Sequence, residues 1–154
     1  MREHPIFQTL SDEEYFKAKE FFEYKTYKKD EYIVKEGEYS SKAFILVSGS
    51  VGVIKTNNYN ESYEVKIIKA PADEFFSEVN LIDRGLVIST IKTKEDTEIL
   101  EITHDSFVEL LEKHPTIASK MLWVISYNIT KHLRKADSEV QTLFNALSEV
   151  VNND

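Results

Sequence analysis

A chain of 154 residues with 42% hydrophobic content is long enough for one domain with a real core and too apolar for a disordered tail. It has no cysteine, which excludes disulfides, thiolate metal sites and cysteine nucleophiles, and a net charge of −8, which argues against a life on nucleic acid. No apolar run approaches membrane-spanning length, and Met1–Pro5 lacks the apolar stretch of a signal peptide, so a cytoplasmic location without membrane contact is expected.

Leu10-Ser-Asp-Glu-Glu-Tyr15 predicts a helix start. Ser11 caps, Glu14 completes a capping box, and Leu10 staples onto Tyr15, with the helix continuing to about Phe22. From about Tyr24 to Ile102, short β-prone runs recur: Glu31–Val34, Ala43–Val47, Val51–Lys55, Tyr63–Ile68, Val87–Thr93 and Glu98–Ile102. Turn-rich pieces separate them, which predicts a jelly-roll-like or sandwich architecture. Ser77–Ile82 interrupts this region as one helical turn.

Ser106–Glu109 predicts a second capping box and a short helix stopping at Pro115. From Thr116 to about Val150 there is neither Gly nor Pro. Apolar positions Ala118, Leu122, Ile125, Ile129, Ala136, Val140, Leu143, Leu147 and Val150 recur mostly at intervals of three and four. Polar His132 sits in the seam, and Val140 follows an extra step of four. A helix of this length extends about 52 Å, too far for one small barrel to cover. From Thr116 onward four basic and four acidic residues cancel, so the segment can meet its own copy without repulsion. Its first half is expected to fold partly onto the domain and Ala136–Val150 to pair in a homodimer. Residues 1–154 read as one mainly β domain: helical 1–23, a β-roll over 24–102, and helices over 103–154.

This order of elements resembles the cyclic-nucleotide-binding domain shared by CRP–FNR regulators, kinase regulatory subunits and gated channels, over about residues 5–135. Ile33–Glu38 resembles the family's first hairpin, and Phe44–Val51 its I-L-x-S-G-x-V signature. Glu98–Ile102 and Phe107–Pro115 resemble its last strand and following helix. The phosphate-binding cassette, F-G-E-L-A-L-L-x-x-x-P-R-A-A-T-V, aligns without a gap to Phe76–Ile91.

The resemblance implies a ligand pocket formed by Phe76, Ser77, Glu78, Val79, Val87, Ile88 and Ser89. In the family a Gly admits the cyclic phosphate, a Glu accepts from the ribose hydroxyl, and an Arg pairs with the phosphate charge. Here Glu78 is kept, but Ser77 stands for the Gly and Val87 for the Arg. Losing one charge-assisted bond costs about 1.5–3 kcal/mol, and stranding a buried charge about 3–5 kcal/mol, so affinity falls about tenfold to a few thousandfold. Asp30 and Asp73 occupy places where the family often has turn glycines.

Ser77 is expected to cap the short helix and Glu78 to sit in its first turn, favoured by the dipole. Arg84, three residues from Val87, is either a substitute cation or part of an exposed turn with Gly85; the turn is expected. Trp123 and Tyr127, one turn apart, are expected to pack the long helix against the barrel, with stacking on a ligand ring as the alternative. His4, His104, His114 and His132 are dispersed without metal-ligand spacing, and no catalytic motif is present, so neither an enzyme nor a metal site is expected. A CRP–FNR transcription factor carries a helix-turn-helix after the long helix; none follows within these 154 residues, and DNA binding is not expected. The functional expectation is a regulatory module with lost or altered nucleotide binding, acting through a protein partner, with no resident cofactor. The alternative is a genuine cyclic-nucleotide sensor.

Overall fold

Ser11 opens the N-terminal helix as its sequence predicts. Its Oγ accepts from Glu14 N–H at 3.2 Å, and Glu14 Oε2 accepts from Ser11 N–H at 2.8 Å. In this computed structural model, which describes residues 1–152, the helix α2 (Asp12–Lys19) follows a single turn α1 (Pro5–Gln8). Residues 153–154, the end of the expected domain range, lie outside the described residues. Helix α2 ends earlier than expected: Phe21 and Phe22 bond back three residues, to Ala18 and Lys19, and the chain leaves at once as a strand.

Eight strands follow: β1 (Glu23–Tyr27), β2 (Tyr32–Val34), β3 (Lys42–Ser48), β4 (Ser50–Thr56), β5 (Ser62–Lys69), β6 (Phe75–Phe76), β7 (Thr90–Thr93) and β8 (Thr97–Thr103). They form two antiparallel four-stranded sheets, ordered β1-β8-β3-β6 and β2-β7-β4-β5, as a β-roll. The single-turn helix α3 (Glu78–Asp83) lies between β6 and β7, and α4 (His104–Lys113) and α5 (Pro115–Asn152) complete the chain.

Two apolar cores explain why β3 is a nearly continuous hydrophobic run. Phe44 and Leu46 face the interior of the roll with Val51, Phe76, Val87 and Ile99. Their alternates Ala43 and Ile45 face a second core built with α1, α2, α4 and α5. A strand covered on both faces has no polar side to show.

The structure departs from the sequence reading at four further places. Val87–Ser89 is not strand: Val87 exchanges backbone hydrogen bonds with the hairpin turn, through Gly37 N–H (2.9 Å) and Glu38 C=O (2.9 Å). Gly37 makes that turn possible with φ of +81°. Strands β1 and β6 are not predicted by the sequence. The first is a largely exposed, polar edge strand and the second only two residues long, so neither carries a hydrophobic alternation. Thr103, not Ser106, caps α4, accepting from Ser106 N–H at 3.1 Å, because β8 runs directly into the helix.

Helix α5 is a single helix of 38 residues, with Pro115 at its start. Ile125 is fully buried in the second core, so its expected place in a dimer seam is corrected. Leu122 and Ile129 pack partly against the same core. From Lys131 to Gln141 every residue is exposed.

Candidate functional site

Helix α3 sits where the chain crosses from one sheet to the other, between Phe76 and the Val87 hairpin contact. Its entry is strained. Ser77 occupies the left-handed region (φ 59°, ψ 28°) and makes no side-chain capping bond, which corrects its expected role as an N-cap. A residue with a Cβ there costs roughly 1–2 kcal/mol. Asp30, another position where the family favours glycine, has φ of +67°. The other end of α3 is tied down. Arg84 is also left-handed (φ 56°), Asn80 Nδ2 donates to Gly85 C=O at 2.9 Å, and His104 Nδ1 lies 2.7 Å from Leu81 C=O.

A cavity of about 470 Å³ opens between α3, the 87–91 segment, strands β4 and β5, and α5. Phe76, Ser77, Glu78, Val79, Val87, Ile88 and Ser89, all expected from the sequence, line it. Phe76 stacks on Phe44 with ring centroids 5.0 Å apart and forms part of the floor. Three further expected residues lie elsewhere. Arg84 is exposed on the α3 turn and does not line the cavity. Trp123 and Tyr127 are 78% and 62% exposed, so they neither line it nor pack the helix against the barrel. Lys131 lies over the Tyr127 ring.

Residues from β5 and α5 complete the cavity. Lys66 is held by Glu74 (2.6 Å), and both contribute to the wall with Ile129 and Lys135. Burial pushes the Glu74 carboxyl up, and the Lys66 ammonium outweighs it, leaving the group below its ordinary value. The apolar alternation of β5 runs through Tyr63, Val65 and Ile67, which are exposed, so no local pattern marks Lys66 or pairs it with Glu74.

The sequence places His132 in the helix seam. The structure instead turns it toward α3, with Nδ1 2.8 Å from Glu78 Oε1. The Glu78 side chain is 6% exposed and that of His132 64%, so the pair bridges a buried acid and the mouth of the cavity. Val87, where the cassette pattern places a cation, is 4% exposed and packs in the core of the roll. The basic side chains around the cavity stand at its mouth: Lys66 on Glu74, His132 on Glu78, and Lys135 at 3.8 Å from Glu139. No group of three or more His, Asp or Glu residues able to hold a metal occurs among the described residues, and no described helix is long and apolar enough to cross a membrane.

The exposed half of α5 carries Val140, Leu143, Leu147 and Val150, each 64–66% exposed, together with Leu133, Phe144 and Val151. Ala136 is exposed on the same segment.

Residues 24–114 match the cyclic nucleotide-binding domain family. The chain is 25% identical over 143 residues to the cyclic AMP receptor protein of Thermus thermophilus, covering 93% of this chain and 63% of that one. It is 27% identical over 112 residues to the cAMP-activated global transcriptional regulator CRP of Haemophilus influenzae, covering 72% of this chain and 47% of the relative. Among solved structures, the Thermus thermophilus catabolite activator protein superposes with a TM-score of 0.79 at 24% identity, over 90% of this chain and 62% of that one. A cyclic nucleotide-binding domain from Methylobacillus flagellatus does so with 0.76 at 18%, over 85% and 72%. The chain thus spans less than two thirds of the two curated relatives, and the second, named as a transcriptional regulator, lends no support to an absence of nucleic-acid partners. With the β-roll, the cassette helix and the long C-terminal helix in the family's order, this chain belongs to the cyclic nucleotide-binding domain family.

Proposed function

We propose that the chain is a non-catalytic, cytoplasmic regulatory module whose cyclic-nucleotide pocket is altered at its anion-binding end, and which works as a homodimer on a protein partner. One observation carries the altered pocket: buried Val87 stands at the cassette position of the cation, and each basic side chain around the cavity has a carboxylate near it. A cyclic phosphate entering here loses its hydration without gaining a charge partner, and the buried Glu78 carboxylate repels it. Dimerisation is supported by the exposed apolar stripe from Ala136 to Val150 and by the neutral charge of the segment that bears it. Such a stripe on a monomer surface marks an interaction site.

Titration calorimetry with cAMP and cGMP tests the pocket; no micromolar binding is expected, and micromolar binding of either overturns the reading. A second reading, a working cyclic-nucleotide sensor, is favoured by the retention of Glu78 on the cavity wall and by the relatives named for cAMP. It expects a ligand-induced rise in melting temperature that Glu78→Ala abolishes.

A further inference from the structure

The cavity is mainly apolar, and each basic side chain at its mouth has a carboxylate near it. Phe76, Val87 and Ile91 form buried parts of the wall. Two buried polar side chains line it, Asn80 and Glu78; the Asn80 amide is already held by Gly85 C=O, which leaves the Glu78 carboxylate. Among the described residues Glu78 Oε1 takes one hydrogen bond, from His132, and an ionised carboxylate has room for several more donors and none to give. A ligand that suits this surface must supply an apolar body and a donor, and must carry no negative charge.

We infer that the cavity takes an uncharged, largely apolar small molecule bearing a hydroxyl or amide donor that bonds to the Glu78 carboxylate. Resting on the altered-pocket reading above, this names the ligand class of the same site. The volume of about 470 Å³ lies in the range of small-molecule pockets. The ligand's donor is matched at Glu78, and its apolar body replaces water against Phe76, Val87 and Ile91. An anion of the same shape meets the Glu78 charge with no free buried cation among the described residues that line the cavity.

The test uses three probes on the full chain at pH 7: 2-naphthalenemethanol, 2-naphthoate and cAMP, with affinities from titration calorimetry and sites from methyl NMR shifts. 2-Naphthalenemethanol is expected to shift the Val87 and Ile91 methyls and to bind at least about tenfold more tightly than 2-naphthoate. Glu78→Gln, which keeps the shape but removes the charged acceptor, is expected to weaken it by about tenfold, the difference between a charged and a neutral hydrogen bond. Absence of 2-naphthalenemethanol binding, equal or tighter binding of 2-naphthoate, or an unchanged affinity in folded Glu78→Gln each overturns the inference. The comparison of probes on the native chain stands even where the variant does not fold. Micromolar cAMP binding overturns the altered-pocket reading itself, whereas naphthyl probes that fail while cAMP stays silent overturn only the ligand class.

Discussion

His132 Nδ1 and Glu78 Oε1 meet at 2.8 Å across 54 residues of sequence, joining the long helix to the cassette helix at the point where the cavity opens. Glu78 is the buried partner and His132 the exposed one, so the two ends of the contact are energetically unequal. Removing His132 leaves a desolvated acceptor behind, and removing the Glu78 charge leaves a solvated ring. We expect His132→Ala to destabilise the fold by about 1–2 kcal/mol, and the same change in a Glu78→Gln background to cost less. Denaturant unfolding of the four proteins in the cycle measures the difference; equal costs in both backgrounds refute the coupling.

Val87→Arg puts back the cation that the cassette lacks. Without ligand, a guanidinium enters the core beside Phe44, Phe76 and Ile91, and a loss of about 3 kcal/mol or more is expected. Millimolar cAMP should then raise the melting temperature of the variant and leave the native chain unmoved. A variant that is destabilised but indifferent to cAMP would show that position 87 is not what blocks the nucleotide.

Ser77 holds a left-handed conformation that glycine adopts without penalty. Ser77→Gly is expected to stabilise the chain by about 0.5–1 kcal/mol, part of the relief being offset by the freer unfolded chain. Thermal unfolding reads this as a rise of about 2–4 °C for each kcal/mol. No rise, or a fall, would mean that the serine side chain contributes more than its backbone costs.

Leu143 and Leu147 are about two-thirds exposed and touch neither core. Leu143→Glu with Leu147→Glu should halve the mass seen by light scattering while the circular dichroism of the β-roll is unchanged. A chain ending at Arg134 should behave the same way, and a dimer that survives truncation would move the interface elsewhere.

His4 makes stability depend on mildly acidic pH. Its Nδ1 accepts from Ile6 N–H and its Nε2 faces Glu74 C=O, each at 3.3 Å, an arrangement that needs the neutral ring. Burial lowers its pKa below the ordinary 6.5, with the Glu74 contact opposing. The unfolded chain therefore binds a proton that the folded one refuses. The contribution is complete above about pH 6.5 and is lost as pH falls through the folded value. The denaturation midpoint should drop between pH 7 and 5, and His4→Asn, which can still cap α1, should flatten that drop.

The roll was legible wherever strands have a buried face, because β3, β4 and β8 carry their burial as composition. Strand β1 is not, since a polar edge strand is defined by the backbone of β8 that it pairs with. At the site, the stretch from Phe76 to Ser89 could be read as a motif, and eight of its residues do line one cavity. Lys66 and His132 could not be read this way. They reach Glu74 and Glu78 through the packing of β5 and α5 around α3, a long-range relation with no local signal. Trp123 and Tyr127 misled because aromatic residues at helical spacing suggest a packed face, while the seated face of α5 runs through Ala118, Met121 and Ile125.

Helix α5 has its last fully buried side chain at Ile125 and continues without a break to Asn152. From there to Val150 it rises about 38 Å, so tilting the shaft by roughly 10° sweeps its far end through about 7 Å. The His132 contact lies about two turns beyond Ile125, near the seated end of the shaft. Any tilt set at that contact would be magnified along the shaft, at a distance where the cavity itself has no reach.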